Sequence, residues 1–188
     1  MILYSLFLLP VEIFSQIRTE LGIQIGYSSN ELIQDQDFVG GASYDITNSI
    51  SYGIRTNFYL SDNWILTSGL IYINTEVEIS PAPLVPPLPS RMEDFQTLYI
   101  PVNLNYLFTK RFYAGAGLLL NYQLTSNAFD ELSGLGLSFG LGYNHPIKRL
   151  ILSVNPQINI HGFQTFEENR SNSRFLEGGI NLGILYSL

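Results

Sequence analysis

Apolar and polar residues alternate with a period of two through most of this chain, and the longest uninterrupted example runs from Phe95 to Thr125. Its first arm sets Leu98, Ile100, Val102, Leu104, Tyr106 and Phe108 against Thr97, Tyr99, Pro101, Asn103 and Asn105. After Thr109, Lys110 and Arg111, the second arm sets Ala114, Ala116, Leu118, Leu120, Tyr122 and Leu124 against Tyr113, Gly115, Gly117, Asn121 and Gln123. Two strands of this kind around a three-residue turn predict a long β-hairpin with one apolar and one polar face. At ~3.3 Å per residue either arm could cross a bilayer core, for which ~9–11 tilted residues suffice.

The same unit recurs along the chain. Strands are predicted over 17–28, 49–60, 64–79, 134–144, 149–162 and 174–188, beside the two arms of the central hairpin. Only 64–79 has an uncertain phase: Leu66, Leu70 and Tyr72 favour one face and Ile71, Ile73, Val77 and Ile79 the other, which predicts a bulge near Gly69. Long connections (29–48, 80–94, 126–133, 164–173) alternate with short ones (61–63, 109–111, 145–148). The second long connection contains PAPLVPPLP, which suits a stiff polyproline-like loop and neither helix nor ladder. Pro101 and Pro156 fall inside strands, where a bulge or a missing ladder bond is expected at each. Eight strands with connections of alternating length predict an all-β fold, an eight-stranded antiparallel up-and-down transmembrane β-barrel.

Composition narrows the picture. Hydrophobic residues make up 46% of the 188 and charged residues only 13%, against about 25% in ordinary soluble domains. A formal net charge of −7 excludes a nucleic-acid partner, since nothing here could neutralise a run of phosphates. The absence of cysteine removes disulfide and thiolate chemistry. Met1 to Phe14 is apolar but broken by Pro10 and Glu12, too short for a spanning helix. Residues 1–16 are therefore expected to be a signal peptide cleaved near Ser15 or Gln16, and 17–188 the barrel domain.

Alternation leaves open which face is outside, because a soluble lipocalin-like ligand-binding barrel has the same period with its apolar face inward. The polar face here is rich in small residues, among them Gly22, Gly26, Gly53, Gly115, Gly117, Gly140 and Gly142, which suit a crowded lumen better than a solvated exterior. Aromatic residues also collect beside the short turns. Trp64, Tyr106, Phe108, Phe112, Tyr143 and Tyr186 are expected to form a girdle at one membrane interface, with Lys110, Arg111, Lys148 and Arg149 snorkelling towards headgroups.

Few residues carry chemistry. Arg18, Glu20 and Arg55 lie on the polar faces of the first two strands, and Glu20 is expected to bridge Arg18 or Arg55 as a lumen charge network that fills the barrel. His145 sits beside Pro146 in a turn. His161 shares the polar face with Asn159, and with Ser126 or Ser153 would be the material for a lipid-modifying enzyme, though no flanking motif accompanies them. Two histidines without clustered carboxylates predict no metal site, and nothing suggests a cofactor or a catalytic residue.

The segments Tyr99-Ile-Pro-Val-Asn-Leu-Asn-Tyr, Tyr113-Ala-Gly-Ala-Gly-Leu, Gly140-Leu-Gly-Tyr and the terminal Gly183-Ile-Leu-Tyr-Ser-Leu resemble the outer-membrane β-barrel domain family common in Bacteroidetes, which includes PorT-like proteins, and small barrels of the OmpX/OmpA type. The resemblance spans nearly everything after residue 16 and implies residence in the outer membrane of a Gram-negative bacterium. It carries over no catalytic residue. Outer-membrane lipid and the barrel-assembly machinery are the partners it implies, for a monomer with a structural, adhesive or accessory role. The final Leu188 departs from the terminal aromatic usual in assembly signals, with Tyr186 two residues earlier.

Overall fold

The computed structural model describes residues 18–33, 43–80, 89–125, 133–165 and 174–188. The expected signal peptide and the tips of the four long connections lie outside these residues. Eight strands follow in chain order: β1 (Thr19–Ile33), β2 (Ser43–Tyr59), β3 (Trp64–Ser80), β4 (Arg91–Leu107), β5 (Phe112–Gln123), β6 (Gly134–Ile147), β7 (Leu150–Thr165) and β8 (Arg174–Ser187). Each pairs antiparallel with its sequence neighbour. β1 closes the ring on β8, from Glu20 opposite Ser187 to Ile33 opposite Arg174. No strand among them is left with a free edge, so the backbone ladders close on one another inside the wall, the condition for a sheet to sit in lipid.

Side chains settle which face is outside. Ile23, Ile25, Tyr52, Leu118, Leu141 and Ile180 are each more than half exposed, whereas Glu20, Asn57 and Asn159 have no exposed surface at all. A barrel in water would invert this pattern, because exposed aliphatic area costs about 25 cal/mol per Å². The soluble lipocalin-like alternative therefore fails on the wall itself: all eight strands carry large apolar side chains exposed on the outer face.

Two expectations need correction. β3 has no phase switch: its pairing with β2 runs unbroken through Arg55 opposite Gly69 and Ile54 opposite Leu70. Its odd-numbered residues all face inward because the lumen at this height is itself apolar, where Ile71 and Ile73 pack with Tyr99 and Leu119. Register shifts occur instead in β2, between Ile46 and Ser49, and where β6 meets β7 around Gly162, whose φ of 69° only glycine adopts freely. At Pro101 and Pro156 the second of the two expected outcomes is found, a missing ladder bond without a bulge. The β3–β4 pairing skips Ile100 and Pro101, and the β6–β7 pairing skips Asn155 and Pro156, yet each resumes in the same register. One ladder step is missing at each proline, as expected when the amide hydrogen is absent.

Secondly, the long connections are shorter than the composition suggested. Strand pairing continues to Ser43 opposite Ser80 and to Ile79 opposite Arg91, so much of 29–48 and 80–94 is ladder. The last short turn also moves. β6 runs to Ile147 through paired His145 and Pro146, and the turn is Lys148-Arg149, with Lys148 at a φ of 58°.

Candidate functional site: the sealed lumen and the turn-end girdle

At the short-turn end the lumen begins with an apolar floor of Ile65, Leu107 and Tyr113, against which Tyr59 packs. The floor forms because the inward positions of β3, β4 and β5 carry large residues where the barrel mouth must close against water. Immediately above it lies a polar layer. Glu20 accepts from Arg18 Nη2 at 2.9 Å and from Asn57 Nδ2 at 3.0 Å. Thr67 Oγ1 donates to Asn57 Oδ1 at 2.8 Å, and Asn105 Nδ2 donates to Thr67 Oγ1 at 2.8 Å. Arg55 spans the lumen: Nε donates to Asn57 Oδ1 (3.2 Å), Nη2 to Tyr113 Oη (2.9 Å) and Nη1 to Ser153 Oγ (3.3 Å).

Arg18, Glu20 and Arg55 thus meet in one layer. Glu20 contacts Arg18 directly and reaches Arg55 only through Asn57. Arg18 also lies over the Tyr59 ring, 4.3 Å from its centroid. Six strands contribute to the layer, so it ties the barrel together across its axis. Buried charge is tolerable here because every charged group has several partners; an unpaired one would cost several kcal/mol.

A second polar layer sits nearer the long-loop end and was not anticipated from sequence as a unit. Glu177 Oε2 accepts from Asn159 Nδ2 at 2.9 Å and lies 2.8 Å from His161 Nε2, while His161 Nδ1 lies 2.8 Å from Asn121 Oδ1. The His161 ring is flanked edge-on by Tyr99 (5.7 Å) and Phe175 (5.5 Å), and Phe95 stands 6.0 Å from Phe175. His161 therefore has both ring nitrogens occupied. Ser153 belongs to the other layer, on Arg55, and Ser126 lies outside the described residues. Nothing here resembles a nucleophile held against its base.

Between and around these layers the free volume is small. One void of ≈30 Å³ lies at mid-height, bordered by Tyr99, Pro101, Asn103 and Gln157 among others, and another of ≈10 Å³ sits beside His161 and Phe175. Those volumes hold one or two waters. Glycines are the small halves of this packing. A Cβ on Gly142 would fall within the Tyr113 ring, and one on Gly115 would meet the Asn105 amide.

Outside, the aromatic residues assemble at the short turns. Trp64 meets Tyr106 edge-on at 5.0 Å, Phe108 stacks on Phe112 at 6.3 Å, and Phe112 meets Tyr143 at 4.8 Å. Tyr186 is held by Arg149 Nη1 at 3.1 Å. The turns themselves are built by hydroxyls. Ser61 Oγ accepts from the amides of Asn63 and Trp64, and Thr109 Oγ1 does the same for Arg111 and Phe112. His145 is exposed on the outer wall, with Nδ1 3.3 Å from Tyr143 Oη.

No family model matches this chain, and no curated protein matches it in sequence. Solved structures do. The outer membrane protein OprG from Pseudomonas aeruginosa superposes with a TM-score of 0.61 at 12% identity, covering 92% of this chain and 96% of its own. The outer membrane protein AlkL, solved by solid-state NMR in DMPC lipid bilayers, gives 0.56 at 13% identity, covering 92% and 90%. The chain has the fold of a small outer-membrane β-barrel.

Proposed function

We propose that this protein is an outer-membrane barrel of a Gram-negative bacterium, with a lumen sealed by its own side chains and a structural, adhesive or accessory role carried by the loops and outer wall. The observation that carries this reading is the inversion of the wall. Large aliphatic and aromatic residues are exposed on every strand, while charged and amide side chains are buried inside. A polypeptide with this surface is stable in lipid and would aggregate in water. The two neighbours of similar fold are both outer membrane proteins, which supports the same compartment. The motifs around Tyr99, Tyr113, Gly140 and Gly183 support placing the chain with the Bacteroidetes barrel family.

Catalysis is outside this proposal. The best-placed candidate, His161, is buried, and both its ring nitrogens are spent on Asn121 and Glu177 and not on a hydroxyl. Rigid scaffolds of this kind usually present function on their loops. The test is gel mobility of the purified protein with and without boiling, together with membrane fractionation. A heat-dependent shift and recovery with the outer membrane are expected; a single mobility and a soluble fraction would refute the proposal.

A further inference from the structure

At the short-turn end, the stretch of outer wall spanning β5 to β8 combines cations, phenolic hydroxyls and an apolar surface in one arc. Arg111 Nη1 donates to Tyr143 Oη at 3.3 Å, and the same oxygen lies 3.3 Å from His145 Nδ1. The Arg111 carbonyl accepts from the Asn144 amide at 2.8 Å, which fixes the β4–β5 turn against β6. One hairpin further round, Arg149 Nη1 donates to Tyr186 Oη at 3.1 Å, and its carbonyl accepts from the Ser187 amide at 2.8 Å. Each arginine is thus fixed through its main-chain carbonyl, and its guanidinium rests on a tyrosine hydroxyl.

Among the described residues, no Asp or Glu side chain pairs with the arc. Lys110 and Lys148 add two cations to the same two turns. Among the described residues at this end, Glu20 is buried on Arg18, and Asp62 sits in the β2–β3 turn on another part of the ring. Guanidinium groups present planar sets of donors suited to phosphate oxygens. Tyr143 and Tyr186 could each add a hydroxyl contact.

We infer that the arc formed by Arg111, Tyr143, His145, Arg149 and Tyr186 is a binding site for phospholipids with anionic headgroups. The occupant follows from the two halves of the surface. The exposed aliphatic wall below, including Leu141, Leu152 and Ile184, takes acyl chains, and the cationic rim takes the phosphate and its headgroup. A soluble anion would use only the rim and a hydrophobic partner only the wall. The inference rests on the proposed residence of the barrel in a membrane, and the experiment separates the two.

The full chain is refolded into phosphatidylcholine bilayers containing trace spin-labelled phosphatidylglycerol or phosphatidylcholine, and the motionally restricted fraction is measured by electron paramagnetic resonance. Preferential restriction of the phosphatidylglycerol label is expected. R111Q and R149Q should each reduce that preference, by up to about fivefold per cation, the order expected of one basic side chain at an anionic surface. Y143F keeps every charge but removes the oxygen shared by Arg111 and His145, and should also reduce it. R91Q, which removes a cation at the opposite end beside Glu93, should leave it unchanged. Equal restriction of both labels, or an R91Q effect as large as that of R111Q, would overturn the site. Absence of any restricted component would instead refute membrane residence.

Discussion

At the residue scale, the wall and the lumen obey opposite rules, and single substitutions separate them. Leu104→Arg or Leu118→Arg places a charge on the exposed apolar face, and should destabilise the barrel by ~2–4 kcal/mol if the site lies at mid-membrane depth. Asn103→Ser, on the inward face where Asn103 Nδ2 donates to Ser138 Oγ at 3.2 Å, should cost ~1 kcal/mol or less. Refolding titrations in lipid vesicles check both, and equal effects would contradict the in-and-out assignment. In the upper layer, His161→Leu removes a partner of the buried Glu177 carboxylate and should cost about 3–5 kcal/mol in the same titrations. Recovery towards wild type in the double variant with Glu177→Leu would identify the loss as that of the pair.

Gly142→Val should be destabilising by about 1–3 kcal/mol through overpacking against Tyr113, and Tyr113→Leu in the same chain should relieve part of it. Alternation alone placed Arg18, Glu20, Arg55, Tyr99 and Asn159 on the inward face. It did not reveal which of them touch, because contact across a lumen depends on register. Nothing in the sequence singles out Glu177 for that reason. Its parity with Phe175 and Asn181 was legible, but its meeting with His161 is set by the β7–β8 ladder, in which Asn159 faces Glu177 and His161 faces Phe175.

At the scale of the element, the number, order and direction of strands were readable because period-two patterning and turn composition carry them. The ends were not. β1, β2 and β4 extend at the long-loop end through residues such as Glu31, Asp45, Glu93 and Asp94, whose polarity resembles loop. A strand that rises above the lipid no longer needs an apolar outer face, so the signal fades while the ladder continues. The inverse error produced the false bulge at Gly69, where inward isoleucines belong to an apolar lumen layer. Orientation belongs to this scale as well. The long connections are expected outside the cell and the short turns in the periplasm. A cysteine at Asn63 should therefore stay unlabelled by an impermeant reagent in intact cells and react after lysis; labelling in intact cells would reverse the orientation.

For the whole molecule, the ring of eight strands leaves an interior that side chains can fill. Its layers of floor, charge network, apolar belt and His161–Glu177 pair leave voids of ≈30 and ≈10 Å³ among the described residues. The two polar layers join different strands by directional bonds, so the plug is held by these as well as by packing. A sealed, membrane-spanning barrel is tested most directly by the conductance of the purified protein in a planar bilayer. A flat trace, from protein shown to be inserted by its heat-dependent gel shift, is the predicted result. Stable, protein-dependent steps of porin size would contradict it.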